Sequence, residues 1–269
     1  MVLVLSAGSV GAGAATYQPS PLVTALTQKG FKCDSFPTLG GSVCTVPRVR
    51  DAATGFSYSQ AVALVIPDTV GLVPDQLHLY LQGYRGVCGD TNQTSAASMV
   101  VRFHLIEQMV TSGRTQSVIV FPISLGQNQT YNSELLNQID RLLAWSELLL
   151  KPQSAKWSVA GHSGAGILIA NSFATNPYFV KKLNHAFLLD ATYGMTLHLP
   201  QWRQAAAVNP GLKISSVYTA GGTTPAGSEM LRQALPQRVM SRKSSMPAHC
   251  LVPSELGQLM YEADQIQRL

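Results

Sequence analysis

Six short apolar runs recur along this chain, and most are separated by enough residues for a helix. They are "AVALVIP" (61–67), "LHLYLQ" (77–82), "SVIVFPI" (117–123), "WSVAG" (157–161), "HAFLLD" (185–190) and "KISSVYTA" (213–220). Each is short and bounded by Gly, Pro, Asp or Asn, so they read as buried strands. The intervening stretches carry helical spacing. "SAASMVVRFHLIEQMV" (95–110) is one, and "NSELLNQIDRLLAWSELLL" (132–150) is another, with Leu135, Ile139, Leu142 and Leu143 on one face. Asn132 and Glu134 suit the start of that second helix. "GILIANSFA", "LPQWRQAAA", "GSEMLRQAL" and "PSELGQLMYEADQIQ" follow in turn. Strands alternating with helices predict an α/β three-layer sandwich, with a mostly parallel central sheet and helices on both faces. The segment before residue 60, including "SVCTVPRV", is expected to add antiparallel edge strands.

Composition narrows the classes. Hydrophobic residues make up 46% and charged residues 12%, which excludes a disordered chain. The net charge of +5 comes from 19 Lys and Arg that are scattered, the densest run being "SRKSS" (241–245). A nucleic-acid binder gathers its cations into a stripe, so no nucleic-acid partner is expected. Residues 1–14 read as the remnant of a signal peptide. An apolar stretch passes into small residues, with Ala12-Gly13-Ala14 as the cleavage site, although no Lys or Arg precedes it. Residues 15–269 are expected to form a single domain without a membrane span. Four cysteines suit an oxidising, secreted or periplasmic setting. Cys33 and Cys44 flank a Pro- and Gly-containing reversal and read as a local disulfide. Cys88 and Cys250 are left as a long-range pair, although four cysteines allow three connectivities. No Cys-x-x-Cys and no closely spaced His pair occurs, so no metal and no cofactor is expected.

The stretch "WSVAGHSGAGILIA" (157–170) sets Ser163 between a buried strand and a helix, with glycines at 161, 164 and 166. Gly161 and Gly164 are expected to take a strained backbone, and Gly166 with Ala165 to let the helix approach the sheet. Such a turn presents a serine hydroxyl for attack. The hydroxyl is a weak nucleophile until a base takes its proton and a carboxylate orients that base. Asp190 ends the next strand, at the carboxyl edge of the sheet, and is the candidate acid. Glu229, in the first turn of a later helix, is the reserve.

Six histidines compete for the base. His78 and His104 precede the serine, inside a strand and a helix. His162 should project away from Ser163, and His185 starts a strand on the wrong side of the sheet. His198 is placed in the loop after Asp190, where it lines the pocket. His249 follows a Ser- and Pro-containing loop and precedes the last helix, and it is the candidate base. An oxyanion hole needs backbone N–H groups. Gly164 supplies one, and Tyr84, in the glycine-bracketed loop of "LYLQGYRG" (79–86), supplies the other. Arg85 reads either as a contact for an acidic ligand group or as a solvated surface residue. With Gln82, His162, Tyr193 and His198 it completes the candidate substrate contacts. A Cys88–Cys250 bridge would pin the oxyanion loop and the loop of the base over one site.

Through "GHSGAG", "LYLQGYRG", "LLDATYG" and "PAHC", the chain resembles the α/β-hydrolase superfamily over about residues 60 to 269. The resemblance implies Ser163, Asp190 and His249 as a catalytic triad, with Tyr84 and Gly164 for the oxyanion. It departs from many members, which place the acid one strand later and carry His where Gln82 stands. The expected activity is that of a serine hydrolase cleaving a small-molecule or polymer-linked carboxylic ester through an acyl-enzyme. An amidase or peptidase with the same triad, and a catalytically silent fold kept as a binding module, are the alternatives.

Overall fold

The apolar runs become neighbouring strands of one mixed sheet in the computed structural model, which describes residues 17–83, 88, 95–124 and 133–266. The strands are β1 (Lys32–Phe36), β2 (Gly41–Val46), β3 (Val62–Pro67), β4 (Leu77–Leu81), β5 (Val118–Pro122), β6 (Trp157–His162), β7 (Leu183–Leu189), β8 (Lys213–Tyr218) and β9 (Val239–Lys243). Their order is β1-β2-β3-β5-β4-β6-β7-β8-β9. The first three strands run antiparallel, and β3 also pairs antiparallel with β5. From β5 onward every neighbouring pair is parallel. Every residue of β3, β4, β5 and β6 is buried, His78 of β4 included.

Helices cover both faces. Those of the first half are α1 (Pro21–Gln28), α2 (Ala96–Arg102), α3 (Leu105–Thr111), α4 (Ser133–Leu136) and α5 (Ile139–Leu150). The second half adds α6 (Ala165–Thr175), α7 (Pro177–Lys182), α8 (Met195–Val208), α9 (Thr224–Ala234) and α10 (Leu256–Ile266). Apolar residues of α1, α5, α6, α7, α8 and α9 join one core on one face, including Leu26, Leu142, Ile169, Phe179, Trp202 and Leu231. The other face is covered by α2, α3 and α10 through Met99, Ile106 and Leu259. Among the described residues, no helix is long and apolar enough to cross a membrane.

Two expected helices are each broken in two. His104 adopts a left-handed φ of 54° between α2 and α3, so it stands at a break instead of inside a helix. Gln138 separates α4 from α5 and exchanges hydrogen bonds with the backbone of Ser57 at 3.0 and 2.9 Å, which ties this break to an outlying two-stranded ribbon. The signal-peptide reading of residues 1–14 lies outside the described residues.

The sheet order fixes where a ligand would sit. The chain leaves β4 over one face to reach β5, and returns over the other to reach β6. The crevice at the carboxyl ends of β4 and β6 is therefore a topological switch point, where open α/β sheets bind ligands. Gly83, Ser163, Asp190 and Thr219 follow the four adjacent strands β4, β6, β7 and β8 at this edge. The close approach of α6 to it depends on Gly166, where an added Cβ would lie 1.8 Å from the Ala191 carbonyl oxygen. At Gly161 the nearest atom would be the Ile169 Cδ1, at 2.6 Å, the mobile tip of a side chain. Gly166→Ala is therefore expected to cost about 3 kcal/mol and Gly161→Ala about 1 kcal/mol, the first because backbone must move. Equilibrium urea unfolding of the two variants checks the order, which equal losses would contradict.

Candidate active site

Ser163 sits where β6 turns into α6. Its N–H donates to the Leu189 carbonyl of the neighbouring strand at 3.1 Å, and its own carbonyl accepts from Gly166 N–H at 3.1 Å. The strain of this turn is carried by the serine, whose φ is 55°. That corrects the expectation that the glycines would absorb it: Gly164 is right-handed at φ −56°, and Gly161 has no positive φ. The glycines provide clearance instead. A Cβ on Gly83 would lie 2.6 Å from the Ser163 Cβ and 3.3 Å from His162 Nδ1. A left-handed residue with a side chain costs about 1–3 kcal/mol and persists only where its surroundings over-determine it. Gly164 N–H opens α6, where the first amides have no intrahelical acceptor and the helix dipole favours negative charge.

Register places Asp190 beside this turn, because His162 pairs with Leu189 and the next residue of each strand follows. Asp190 also has a left-handed backbone, φ 49°, and is 1% exposed. Four donors reach its carboxylate. Thr219 gives its N–H at 3.0 Å and its hydroxyl at 2.8 Å, Thr224 donates its hydroxyl, and His249 Nδ1 lies at 2.7 Å. Burial pushes the carboxyl up, but the hydrogen bonds from His249, Thr224 and Thr219 outweigh it and hold the group at about 2. Asp190 is ionised at neutral pH. Glu229 has no part in this arrangement, since it pairs on the exposed face of α9 with Arg232 at 2.6 Å and Gln233 at 2.8 Å.

His249 opens a 3₁₀ segment, His249–Glu255, that leads into α10. With Nδ1 held by Asp190, Nε2 is the ring nitrogen left for proton transfer. Its surroundings come from three directions. The ring of His162 packs at 4.5 Å between centroids, and His162 Nε2 donates to the His249 carbonyl at 3.2 Å. Tyr193 meets the ring edge-on at 6.1 Å. Cys250 is bridged to Cys88 across 162 positions of sequence, and Cys33 pairs with Cys44, its register partner between β1 and β2. His162 is held near 3 by burial first and by the neighbouring His249 second, so it stays neutral.

The candidate contacts divide. Tyr193 stands beside His249, its phenol pushed up by burial and by the Asp190 charge. Gln82 is 0% exposed and donates to the Ser124 carbonyl at 3.0 Å, which makes it a support of the β4 end instead of a ligand surface. His162, 2% exposed, likewise corrects from ligand contact to packing beneath the base. His198 is in the first half of α8, packed near Gly194, and not in a loop. Tyr84 and Arg85 lie outside the described residues. Cys88, His162 and His249 are close enough to suggest a metal site, but the sulfur is consumed in the disulfide and His162 Nε2 faces a carbonyl. Sequence reasoning missed Thr219 and Thr224. Their signal was weak: a threonine directly after a strand, and one opening a helix.

Asp190 also gives a stability signature. Its folded pKa is depressed, so its contribution is complete above the unfolded value near 4 and is lost as pH falls through about 2. The stability gap between the native protein and Asp190→Asn is expected to shrink between about pH 4 and pH 2. Urea unfolding at stepped pH measures it, and a gap that stays constant would contradict the network.

No protein-family model and no curated protein matches the chain. Solved structures do. The feruloyl esterase module from Clostridium thermocellum, complexed with sinapinate, superposes with a TM-score of 0.60 at 9% identity, covering 92% of this chain and 94% of that one. EstE1, a thermophilic carboxylesterase cloned from a metagenomic library, gives 0.54 at 13%, covering 84% and 88%. An S-formylglutathione hydrolase from Agrobacterium tumefaciens gives 0.51 at 12%, covering 87% and 96%. At these identities the likeness is one of architecture, and it agrees with the strand order, the helical layers and the serine turn: the chain has the α/β-hydrolase fold.

Proposed function

We propose that this protein is a serine hydrolase of carboxylic esters, with Ser163 as nucleophile, His249 as base and Asp190 as the acid that orients it. The observation that carries the reading is the Asp190–His249 hydrogen bond of 2.7 Å, made by a buried carboxylate beside a serine held in a left-handed turn. Asp190 fixes the tautomer with the proton on Nδ1, which leaves Nε2 as acceptor. His249 takes the Ser163 proton as Oγ attacks the ester carbonyl, then returns it to the departing alcohol. An acyl-enzyme remains. Water, deprotonated by His249, adds to the acyl carbon, and the proton goes back to Ser163 as the carboxylic acid leaves. Gly164 N–H supports the oxyanion, with Tyr84 N–H as the proposed second donor.

An ester is preferred to an amide because the similar structures are described as a feruloyl esterase, a carboxylesterase and a formylglutathione hydrolase. The substrate is a small or polymer-linked ester. A single domain over residues 15–269 and export of the chain belong to the same proposal, supported by two disulfides.

A fluorophosphonate probe is expected to label the native protein and not Ser163→Ala. Short p-nitrophenyl esters should be hydrolysed well above peptide anilides. Absence of labelling would leave a binding module, and preference for anilides an amidase. Asp190→Asn should keep the fold and lose about 10⁴-fold in kcat, as expected when the acid sets the base's tautomer. Near-native kcat in that variant would sink the assignment.

Loss of the Cys88–Cys250 bridge should register in the rate while the sheet still stands. Closing so long a loop is worth about 5 kcal/mol in the chain-entropy model. A shift of about 1 Å in the base costs on the order of 100-fold in rate. Mild reduction is therefore expected to lower kcat before circular dichroism records loss of the sheet. Simultaneous loss of both would contradict it.

A further inference from the structure

The chain between β9 and the segment that begins at His249 has no regular structure, so its backbone polar groups need partners from elsewhere. One buried side chain supplies them. Glu255 is 3% exposed. Its Oε1 accepts from Ser245 N–H at 2.7 Å, Met246 N–H at 3.1 Å, the Ser244 hydroxyl at 2.6 Å and the Ser245 hydroxyl at 2.9 Å. Its Oε2 accepts from Arg242 Nη1 at 2.7 Å. Residues 244–246 thus wrap around one oxygen atom, three residues before His249. Ser244 N–H in turn donates to the Tyr218 carbonyl at 2.8 Å, which ties the wrap to the end of β8, next to Thr219. Burial pushes the Glu255 carboxyl up, yet the hydroxyl and guanidinium donors bring it below the ordinary glutamate value.

We infer that Glu255 is a positioning residue for the reaction: it fixes residues 244–246 so that His249 arrives with Nδ1 on Asp190. The inference rests on the proposed role of His249. A buried carboxylate with one guanidinium partner is a poor source of stability compared with an apolar residue of similar size. The flanking elements do not need it, because α10 is anchored on the sheet by Leu256, Leu259 and Met260, all buried. What an apolar residue could not do is accept from two loop amides and two hydroxyls at once. The ordering effect of Glu255 therefore falls on the loop. The far side of His249 is held separately, by the bridge at Cys250 and by His162 on the His249 carbonyl.

The test compares Glu255→Ala and Glu255→Gln in the full chain, reading kcat and KM on a p-nitrophenyl ester, amide hydrogen exchange over 244–250, and cooperative unfolding. The alanine variant is expected to lose about 30- to 100-fold in kcat with KM within about twofold, from a displacement of the base on the order of 1 Å. Exchange should rise at Ser245 and Met246 while the sheet stays protected. Glutamine keeps a carbonyl oxygen for the loop donors but turns an NH₂ toward Arg242, so it should rescue part of the loss. Native kcat in a folded alanine variant would overturn the inference, and so would exchange that rises equally across the sheet. If the alanine variant does not fold, glutamine and Arg242→Ala carry the same comparison. If the native protein hydrolyses no ester and takes no fluorophosphonate, the proposed function fails first. Exchange at Ser245 and Met246 in Glu255→Ala then decides alone whether this carboxylate holds the loop.

Discussion

A carboxylate taken out of water must find donors for its lone pairs or give up its charge. Asp190 finds them on three separate segments: Thr219 after β8, Thr224 at the start of α9, and His249 ahead of α10. These segments are brought together by the parallel order β7-β8-β9 and by the return of the chain over the opposite face. The same requirement explains why a threonine directly follows the next strand, β8. Where a second acid at that strand end would repel Asp190, Thr219 donates two hydrogen bonds to it. The ionised carboxylate after β7 thus has a local counterpart after β8.

The second constraint is space. Ser163 and Asp190 both adopt left-handed backbones at adjacent strand ends, and each takes the first main-chain bond past its strand from a neighbour. Two strained residues side by side leave little room for α6 and for the β4 end. Gly166 gives way to the Ala191 carbonyl and Gly83 to Ser163 and His162. Clearance at these glycines and strain at the serine are therefore two sides of one packing solution. Moving the strain onto a glycine would free the turn and lose the fixed direction of the hydroxyl.

How much of this was legible follows from the range of each signal. Strand runs such as "VALVIP" could be read because burial on both faces needs no partner to be known. The order of Ser163, Asp190 and His249 along the chain was visible for the same reason: each falls at an element boundary marked by local residues. The helix breaks at His104 and Gln138 were not, because no Gly or Pro announces them and the causes lie in tertiary contacts such as Gln138 with Ser57. The roles of Gln82 and His162 were misread because a polar residue near a presumed pocket looks like a contact. Only the fold shows both enclosed, one on the Ser124 carbonyl and one under the proposed base. Glu255 gave no signal at all, since four of its five donors come from Ser244, Ser245 and Met246, which resemble an ordinary polar loop, and the fifth is Arg242 of β9.

The remaining asymmetry concerns which parts of the site are held by the sheet. Ser163 and Asp190 follow strands, so the ladder fixes them to the accuracy of the strands themselves. His249 follows a loop, and its ring is placed from the sheet through side chains, by Asp190 after β7 and His162 at the end of β6, and not by the ladder itself. Every additional fixture found near the site acts on this one residue. Glu255 gathers the chain before it, Cys250 is tied covalently to Cys88, and His162 grips its carbonyl while packing against its ring. Hydrogen bonds alone would leave the loop subject to the local opening that exposed backbone undergoes, and a disulfide alone fixes a distance but not an orientation. Together they restrain the peptide on both sides of His249, which is what the proposed base needs if its Nδ1 is to stay on a buried carboxylate.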